Sequence, residues 1–475
     1  MVLVLDFSQR AEMNCNKLDH MTLIRLIAIL GVLLFPQASS AGERNTTIFI
    51  SDLHMNIDAD YSWLVDHADD IADFLNKVNT RDDVTELVIL GDLLDDWVTP
   101  LNTPPQSFAD ILSANTNVGI VAALQAICDN PEIEITYVAG NHDMLFSYES
   151  QNRADVIDAI PCLQILSDSQ GNGAYSKDDV IWAEHGHRYC LFNAPDTWSR
   201  PSGQLPLGYF ITRLATSKAA TTGQITTTPD LLDEFLKKPL KTFGYEGNHE
   251  VSGIFDDALV VAVFNAIALW SGNLPSDHFT MNGLDGFDSD PSVEGIAITY
   301  DTIYSNWPSR QDRVSPTEAL WNDVGALNTA ANLLFEMPES LKDKYPFTPR
   351  IILFGHTHEA AFQYHSGGRD TIYANTGTWI DGTSTDPKPM TWVEIEITEG
   401  EASGKRYEVS LWFQGESSPR HSGVISTSPL SEEAEKDLGG GGCSIRADSG
   451  PPGDLVILAM LLISYRLLRR KRATV

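Results

Sequence analysis

The sequence predicts an α/β fold with strands and helices in layers and one long helical insertion. Strand-like and helical runs alternate between residues 46 and 138, which is the pattern of a layered α/β domain. Five apolar strand-like runs end directly in Asp, Asn or His, and open α/β sheets bind ligands at the carboxyl ends of their strands. With 475 residues, the chain is long enough for a full core and a second lobe.

The N-terminal residues 1–41 have the pattern of a secretory signal peptide. Lys17 and Arg25 flank the apolar residues 26–35, which are too few to span a bilayer, and the small residues 39–41 follow them. We therefore predict export and cleavage after Ala41, with a retained N-terminal anchor as the alternative.

The first part of the predicted core covers residues 42–192. Apolar residues recur at three- and four-residue steps over residues 61–79, which predicts an amphipathic helix. Residues 101–117 are polar and rich in turn formers, and residues 118–128 are apolar enough for a helix that packs on the sheet. Three cysteines lie in the folded part of the chain. We predict a disulfide between Cys162 and Cys190, with buried free thiols as the alternative.

Residues 193–349 are predicted to form a helical insertion, or cap, above the strand ends. The segment has apolar helical runs at 231–236, 259–270 and 319–335. A cap of this kind controls what reaches a site, so we expect it to select the substrate.

The core resumes over residues 350–413, where the last two predicted strands alternate apolar and polar residues, as half-exposed antiparallel strands do. Residues 414–442 are rich in Ser, Gly, Pro and Glu and are predicted to be a flexible linker. In residues 443–475 a short apolar run precedes a basic cluster. This tail resembles bacterial C-terminal sorting signals, which implies a sortase-like processing enzyme as partner, and an uncleaved membrane anchor is the alternative.

The net charge restricts the possible binding partners. The formal net charge is -33 and the pI is about 4.5, whereas nonspecific nucleic-acid binders need basic patches. We therefore expect no nucleic-acid partner.

The five strand ends carry residues that bind metals or transfer protons. They are Asp52-Leu53-His54, Gly91-Asp92-Leu93-Leu94-Asp95, Gly140-Asn141-His142-Asp143, His185-Gly186-His187 and Gly355-His356-Thr357-His358. Any one could arise by chance, but five in order predict a single site. Carboxylate, imidazole and carboxamide ligands suit Mn, Fe or Zn. In a dinuclear site, Asp92 is the natural bridge between the two ions, and a hydroxide that they share attacks the substrate. His142 protonates the leaving oxygen, and Asp143 orients the His142 ring.

Together these five blocks resemble the calcineurin-like metallophosphoesterase superfamily over residues 46–192 and 350–413. The resemblance implies a four-layer α-β-β-α sandwich of two sheets flanked by helices. It also implies two divalent metal ions and their ligands. One ion would be held by Asp52, His54 and His358, the other by Asn141, His185 and His356, with Asp92 between them. His142 would be the acid, and Asp95 and Asp143 would hold ligands or His142 in place. The family pattern favours His185 over His187 as the ligand, and we leave both open.

The sequence thus predicts an exported, envelope-attached phosphoesterase that acts on mono- or diesters of small molecules. The arrangement is also similar to UDP-diacylglucosamine hydrolases, which makes nucleotide-sugar pyrophosphate hydrolysis an alternative. A nuclease and a non-catalytic, metal-stabilised surface binding protein are the others.

Overall fold

Two β-sheets lie at the centre of the structure, a computed structural model. It describes residues 45–64, 67–226, 228–242, 255–311, 313–337, 346–367, 369–380, 390–400 and 404–427. The strands are β1 (Thr46–Ile50), β2 (Val84–Leu90), β3 (Glu134–Val138), β4 (Gln164–Leu166), β5 (Tyr175–Lys177), β6 (Ile181–Ala183), β7 (Ile351–Phe354), β8 (Ala361–His365), β9 (Thr371–Asn375), β10 (Thr391–Glu399), β11 (Lys405–Phe413) and β12 (His421–Ser426).

The larger sheet has the strand order β12-β11-β10-β1-β2-β3-β4, and the smaller has the order β5-β6-β7-β9-β8. Strands β1 to β4 are parallel, as are β6, β7 and β9. Each sheet therefore has a parallel group whose strands end at the same edge, where the polar motifs follow them.

Helices cover the sheets and fill the insertion. They are α1 (Ala68–Asn79), α2 (Phe108–Ser113), α3 (Val118–Cys128), α4 (Ser150–Ala159), α5 (Leu207–Thr222), α6 (Thr228–Leu232), α7 (Lys238–Thr242), α8 (Asp257–Ser271), α9 (Val293–Thr299), α10 (Trp307–Arg310), α11 (Pro316–Trp321) and α12 (Asp323–Glu336), with a π-helical turn at Asp233–Lys237.

Successive side chains of a strand point to opposite faces of its sheet, and this alternation separates the core between the sheets from the core under the helices. In β1, Phe49 belongs to the core between the two sheets, together with Val88 of β2 and Leu353 of β7. Ile48 and Ile50 belong to the core on the helical side. Helices α1 and α3 pack against each other, α3 contacts β3, and α12 contacts β9 of the other sheet. The structure thus confirms the predicted α/β sandwich of two sheets with flanking helices.

The buried Arg213 of α5 fastens the insertion to the core. Its guanidinium donates to the carbonyl oxygens of Pro100 and Leu101, both at 3.0 Å, in the loop after β2. It also donates to the carbonyl oxygen of Thr280 at 3.0 Å, within the insertion. A buried guanidinium needs several acceptors to offset its desolvation, and carbonyl oxygens of both segments supply them.

Two predicted boundaries are wrong. The helix predicted over residues 61–79 begins only at Ala68, and Trp63 lies outside it with its ring centroid 5.1 Å from that of His54. The linker predicted over residues 414–442 contains β12, which pairs with β11 in antiparallel register. This strand forms one edge of the larger sheet, and it buries Ile425 between the sheets. Its short, polar sequence does not show that role.

The predicted disulfide is also wrong. Cys128 and Cys162 form the bond, with 5.3 Å between their Cα atoms, and Cys190 is a buried free thiol. Cys128 ends α3, and Cys162 follows α4, so the two helix ends bring the thiols together.

The predicted signal peptide, the C-terminal tail and residues 428–442 of the predicted linker lie outside the described residues. Within the described ranges, no helix combines the length and apolar character needed to cross a membrane.

Candidate metal centre

The predicted site residues of both sheets meet at one edge of the sandwich. Asp52 follows β1, Asp92 follows β2 and Asn141 follows β3, whereas His185 and His356 follow β6 and β7. All of these side chains except His356 are almost fully buried. The five strand ends therefore converge on one place, as the sequence predicts.

The backbone at this edge is strained. Five non-glycine residues lie in the left-handed region, with φ of 57° at Asp52, 49° at His54, 51° at Asp92, 69° at His356 and 57° at His358. This conformation costs an L-residue roughly 1–2 kcal/mol. Strain of this kind persists where the surrounding structure fixes it, commonly at functional sites.

One group of ligand-type atoms consists of Asp52, His54 and His358. The Nε2 atoms of the two imidazoles are 3.0 Å apart, and His358 Nε2 lies 3.2 Å from Asp52 Oδ1. Asp52 Oδ1 is buried and has no hydrogen-bond partner, whereas Oδ2 accepts from the His356 backbone N–H at 3.0 Å. An unpaired buried carboxylate oxygen beside two imidazole nitrogens fits a cation.

A second group consists of Asp92, His185 and His356, with Asn141 beside it. His185 Nε2 lies 3.1 Å from Asp92 Oδ2 and 3.1 Å from Asn141 Oδ1. The Nδ1–H of His185 donates to the Leu90 carbonyl oxygen at 2.7 Å, so the Nε2 lone pair faces the group.

Asp92 lies between the two groups. Its Oδ2 atom is 3.1 Å from His185 Nε2 and 3.7 Å from His54 Nε2. The donor set of carboxylate, carboxamide and imidazole fits two divalent cations that share this carboxylate.

The electrostatics of the site follow from its four buried carboxylates. Burial alone would lower the pKa of His54, but the nearby carboxylates of Asp52 and Asp95 outweigh that effect and raise the pKa to about 10. For His185, Asp92 and Asp52 likewise overcome burial and raise the pKa to about 9. Burial together with the positive charge of His185 lowers the pKa of His356 to about 3. The excess of negative charge is what a cation pair would neutralise.

His142 stands at the wall of the site in a fixed orientation. Its ring stacks on Trp97 with 4.3 Å between ring centroids, and its backbone N–H donates to Asp92 Oδ1 at 2.8 Å. Its Nδ1–H donates to Asp95 Oδ1 at 2.8 Å. Asp95 therefore holds the Nδ1 side of the ring, and the opposite side faces the cavity.

The prediction that Asp143 orients the His142 ring is wrong. The Asp143 carboxylate accepts from the backbone N–H groups of Leu93 at 2.8 Å and Gly140 at 2.9 Å, and from the Tyr137 hydroxyl. Burial and the charge of Asp92 raise the pKa of Asp143 to about 6. Asp143 therefore fixes the loops that carry the site, and Asp95 holds His142.

His187 lies beside His185 but joins none of the groups of ligand-type atoms among the described residues. Neither of its ring nitrogens has a hydrogen-bond partner, and its ring centroid is 5.4 Å from that of His185. Of the two histidines in this motif, His185 is the one whose nitrogen joins a group of ligand-type atoms.

The cavity beside the two groups has a volume of about 50 Å³. Several residues of its wall were not predicted as site residues from the sequence, namely Trp63, Cys190, Phe192, Asn193, Leu232 and Asp323. Asn193 Nδ2 lies 3.3 Å from His356 Nε2. These residues follow no strand-end pattern. Three of the six lie in the insertion and two directly before it, so only the packing of the insertion reveals them.

Comparison with known proteins gives a family match over the first part of the chain. Residues 46–210 match the calcineurin-like phosphoesterase family. No curated protein matches the chain. Among solved structures, the nuclease MPE of Pseudomonas putida is similar at 16% identity, with a TM-score of 0.19, over 30% of this chain and 54% of that chain. The match thus spans about half of the nuclease.

Five of the seven predicted metal ligands lie within the matched residues, and the structure adds His356 and His358 from the second part of the core. Residues 46–210 are therefore similar to the calcineurin-like phosphoesterase domain over about a third of the chain.

Proposed function

We propose that the chain hydrolyses phosphate mono- or diesters of small molecules with two divalent cations, Mn, Fe or Zn. The proposed ligands are Asp52, His54 and His358 for one ion, Asn141, His185 and His356 for the other, and Asp92 for both. The position of Asp92 carries the proposal, because its Oδ2 atom lies 3.7 Å from His54 Nε2 and 3.1 Å from His185 Nε2.

When bound, such an ion pair polarises the phosphoryl oxygens and lowers the pKa of a shared water. The protein supplies the second requirement, a proton for the leaving oxygen. In our proposal His142 donates it from Nε2, because Nδ1–H is committed to Asp95 and the ring lines the cavity. Trp97 and Asp95 fix the ring, so that it loses little orientational freedom when substrate binds.

Export to the cell envelope is part of the proposal, with membrane association through the C-terminal tail or its processing by a sortase-like enzyme. The disulfide between Cys128 and Cys162 supports it, because such bonds persist in oxidising compartments. N-terminal sequencing of the mature protein and fractionation of expressing cells test it. Full-length protein with residues 1–41 intact in the reducing cell interior would contradict it.

The activity test starts from metal-free protein reloaded with Mn, Zn or Fe. The substrates are p-nitrophenyl phosphate, its bis-ester and a panel of nucleotides and nucleotide sugars. Asp92→Asn is expected to abolish turnover, because the shared ligand loses its charge. His142→Ala is expected to slow turnover roughly 10²–10⁴-fold with metal content retained.

The matched control is Asp158→Asn, which changes an exposed carboxylate outside the site and should leave turnover unchanged. Metal-loaded protein with no turnover on any substrate would contradict the proposal and favour a metal-stabilised binding protein. Loss of metal in His142→Ala would contradict the separation of roles.

A further inference from the structure

A third group of ligand-type atoms adjoins the site on the side of the insertion. Cys190, Asp323 and His356 each offer one such atom, and these atoms all lie within 4.8 Å of one another. Cys190 follows the turn after β6, and Asp323 begins α12. His356 belongs both to this group and to the group of Asp92 and His185.

The chemistry of this group differs from that of the proposed catalytic pair. The seven proposed ligands include no sulfur, whereas Cys190 adds a thiol to an imidazole and a carboxylate. Thiolate with imidazole is a ligand combination of Zn²⁺ and other thiophilic cations, and it suits Mn²⁺ poorly.

The group also has space for an ion. Cys190, Asp323 and His356 all line the same cavity of about 50 Å³, which exceeds the volume that one water needs. Cys190 is the free thiol among the described cysteines. It contacts the Asp323 carboxyl by a hydrogen bond, so the two side chains already face each other.

We propose that Cys190, Asp323 and His356 form a third metal position, which binds a thiophilic divalent cation such as Zn²⁺ and inhibits turnover when that cation is in excess. Inhibition follows because a neutral imidazole has one lone pair for a metal, so His356 serves one ion at a time. The excess ion therefore takes this ligand from the proposed catalytic pair, whose second ion stays bound by Asn141, His185 and Asp92.

Cobalt titration of the metal-free full-length protein tests the third position directly. Wild type is expected to bind one more equivalent of Co²⁺ than Cys190→Ala, and that equivalent should bring a thiolate-to-cobalt charge-transfer band. Cys15 and Cys443 are further thiols of the chain, so the assignment rests on the difference between wild type and variant. Asp323→Asn, which keeps the thiol, should weaken binding of the same equivalent.

Zinc inhibition is the second measurement. Excess Zn²⁺ is expected to reduce the Mn²⁺-supported rate of wild type, whereas each variant should keep its own rate. The titration needs no turnover, so it remains decisive even where the proposed phosphoesterase activity fails.

Equal cobalt stoichiometry in wild type and both variants would overturn the third position. A thiolate band that develops within the first two equivalents would also overturn it, because Cys190 would then be a ligand of the proposed pair. Melting curves check that the variants fold, and Cys190→Ser replaces Cys190→Ala if the latter does not.

Discussion

The Oδ1 atom of Asp95 lies 2.8 Å from Nδ1 of His142. The second oxygen of the same carboxylate lies 2.9 Å from Nδ1 of His54, a proposed metal ligand. Oδ1 also accepts from the backbone N–H groups of Trp97 and Val98, at 3.0 and 3.1 Å. One buried carboxylate thus sets the orientation of a proposed ligand and of the proposed acid together.

The first prediction is that Asp95→Asn impairs both roles. A carboxamide has one acceptor oxygen, so its amide group would face the Nδ1–H of one of the two rings. Residues that orient metal ligands typically contribute 10–100-fold to affinity or activity, and we expect a loss of roughly that size in kcat/KM. Steady-state kinetics and metal analysis of the same preparation measure it, with Asp158→Asn as control. An unchanged rate and metal content would show that Asp95 positions neither histidine.

The surroundings of Asp95 show how much of the site can be predicted from the sequence. The strand ends were predictable because apolar runs stop at polar residues, and parallel strands bring those ends together. The residues alone pointed to the adjacent Asp143 as the partner of His142, whereas Asp95, 47 positions away, was a candidate only through the family resemblance. Adjacent side chains diverge at this turn, and Asp143 bonds the backbone of two loops instead. Tertiary contacts of this kind leave no local pattern.

The second prediction concerns Gly140, which allows Asp92 to approach. A Cβ atom at Gly140 would lie 2.1 Å from Asp92 Oδ1 and 2.4 Å from Asp92 N. Gly140→Ala therefore has to displace the shared ligand, and we expect loss of metal and lower stability. Metal content and denaturant unfolding measure both effects.

Gly119→Ala is the matched control. It lies in α3, and its new methyl group would meet Ala72 Cβ at an ordinary 3.5 Å. Alanine in a helix is more stable than glycine by roughly 0.5–1 kcal/mol, so this variant should gain stability and keep its metal. Retained metal in Gly140→Ala would contradict the proposed position of Asp92.

The third prediction is that the disulfide between Cys128 and Cys162 stabilises the fold. It closes a loop of 34 residues, for which chain entropy gives about 3–4 kcal/mol. Reduction should therefore lower the denaturant midpoint of wild type, and it should leave the Cys128→Ser/Cys162→Ser double variant unchanged. If Cys190 were a partner instead, Cys128→Ser would keep its sensitivity to reduction and Cys190→Ser would lose it.

The sequence could not choose among these cysteines, because spacing alone does not fix pairing. The pairing depends on where α3 ends and on the residue that follows α4, and these positions bring the Cα atoms of Cys128 and Cys162 to 5.3 Å. The insertion was predictable only as a helical segment. The insertion also supplies part of the cavity wall, including Leu232 and Asp323. Which of its residues do so depends on how its helices pack.

The fourth prediction is that metal removal makes stability fall as pH rises. In the metal-free protein, carboxylates hold the pKa of His54 at about 10 and that of His185 at about 9, above the ordinary 6.5. A raised pKa stabilises the fold fully below the unfolded value, and the contribution is lost as pH rises through the folded value. We expect the melting temperature of metal-free protein to fall between about pH 7 and pH 10. Protein loaded with Mn²⁺ should lose less, because cations bind the neutral imidazoles and replace the protons.

Thermal melts of both forms across this range measure the difference. His54→Gln should flatten the pH dependence of the metal-free protein, because it removes one of the two groups with a raised pKa. His278→Asn, which changes an exposed histidine in the insertion, should leave it as in wild type. Equal pH dependence in the metal-free and Mn²⁺-loaded forms would mean that these imidazoles do not exchange protons for cations. The proposed ligand sets around Asp92 would then be wrong, even if the protein hydrolyses phosphoesters.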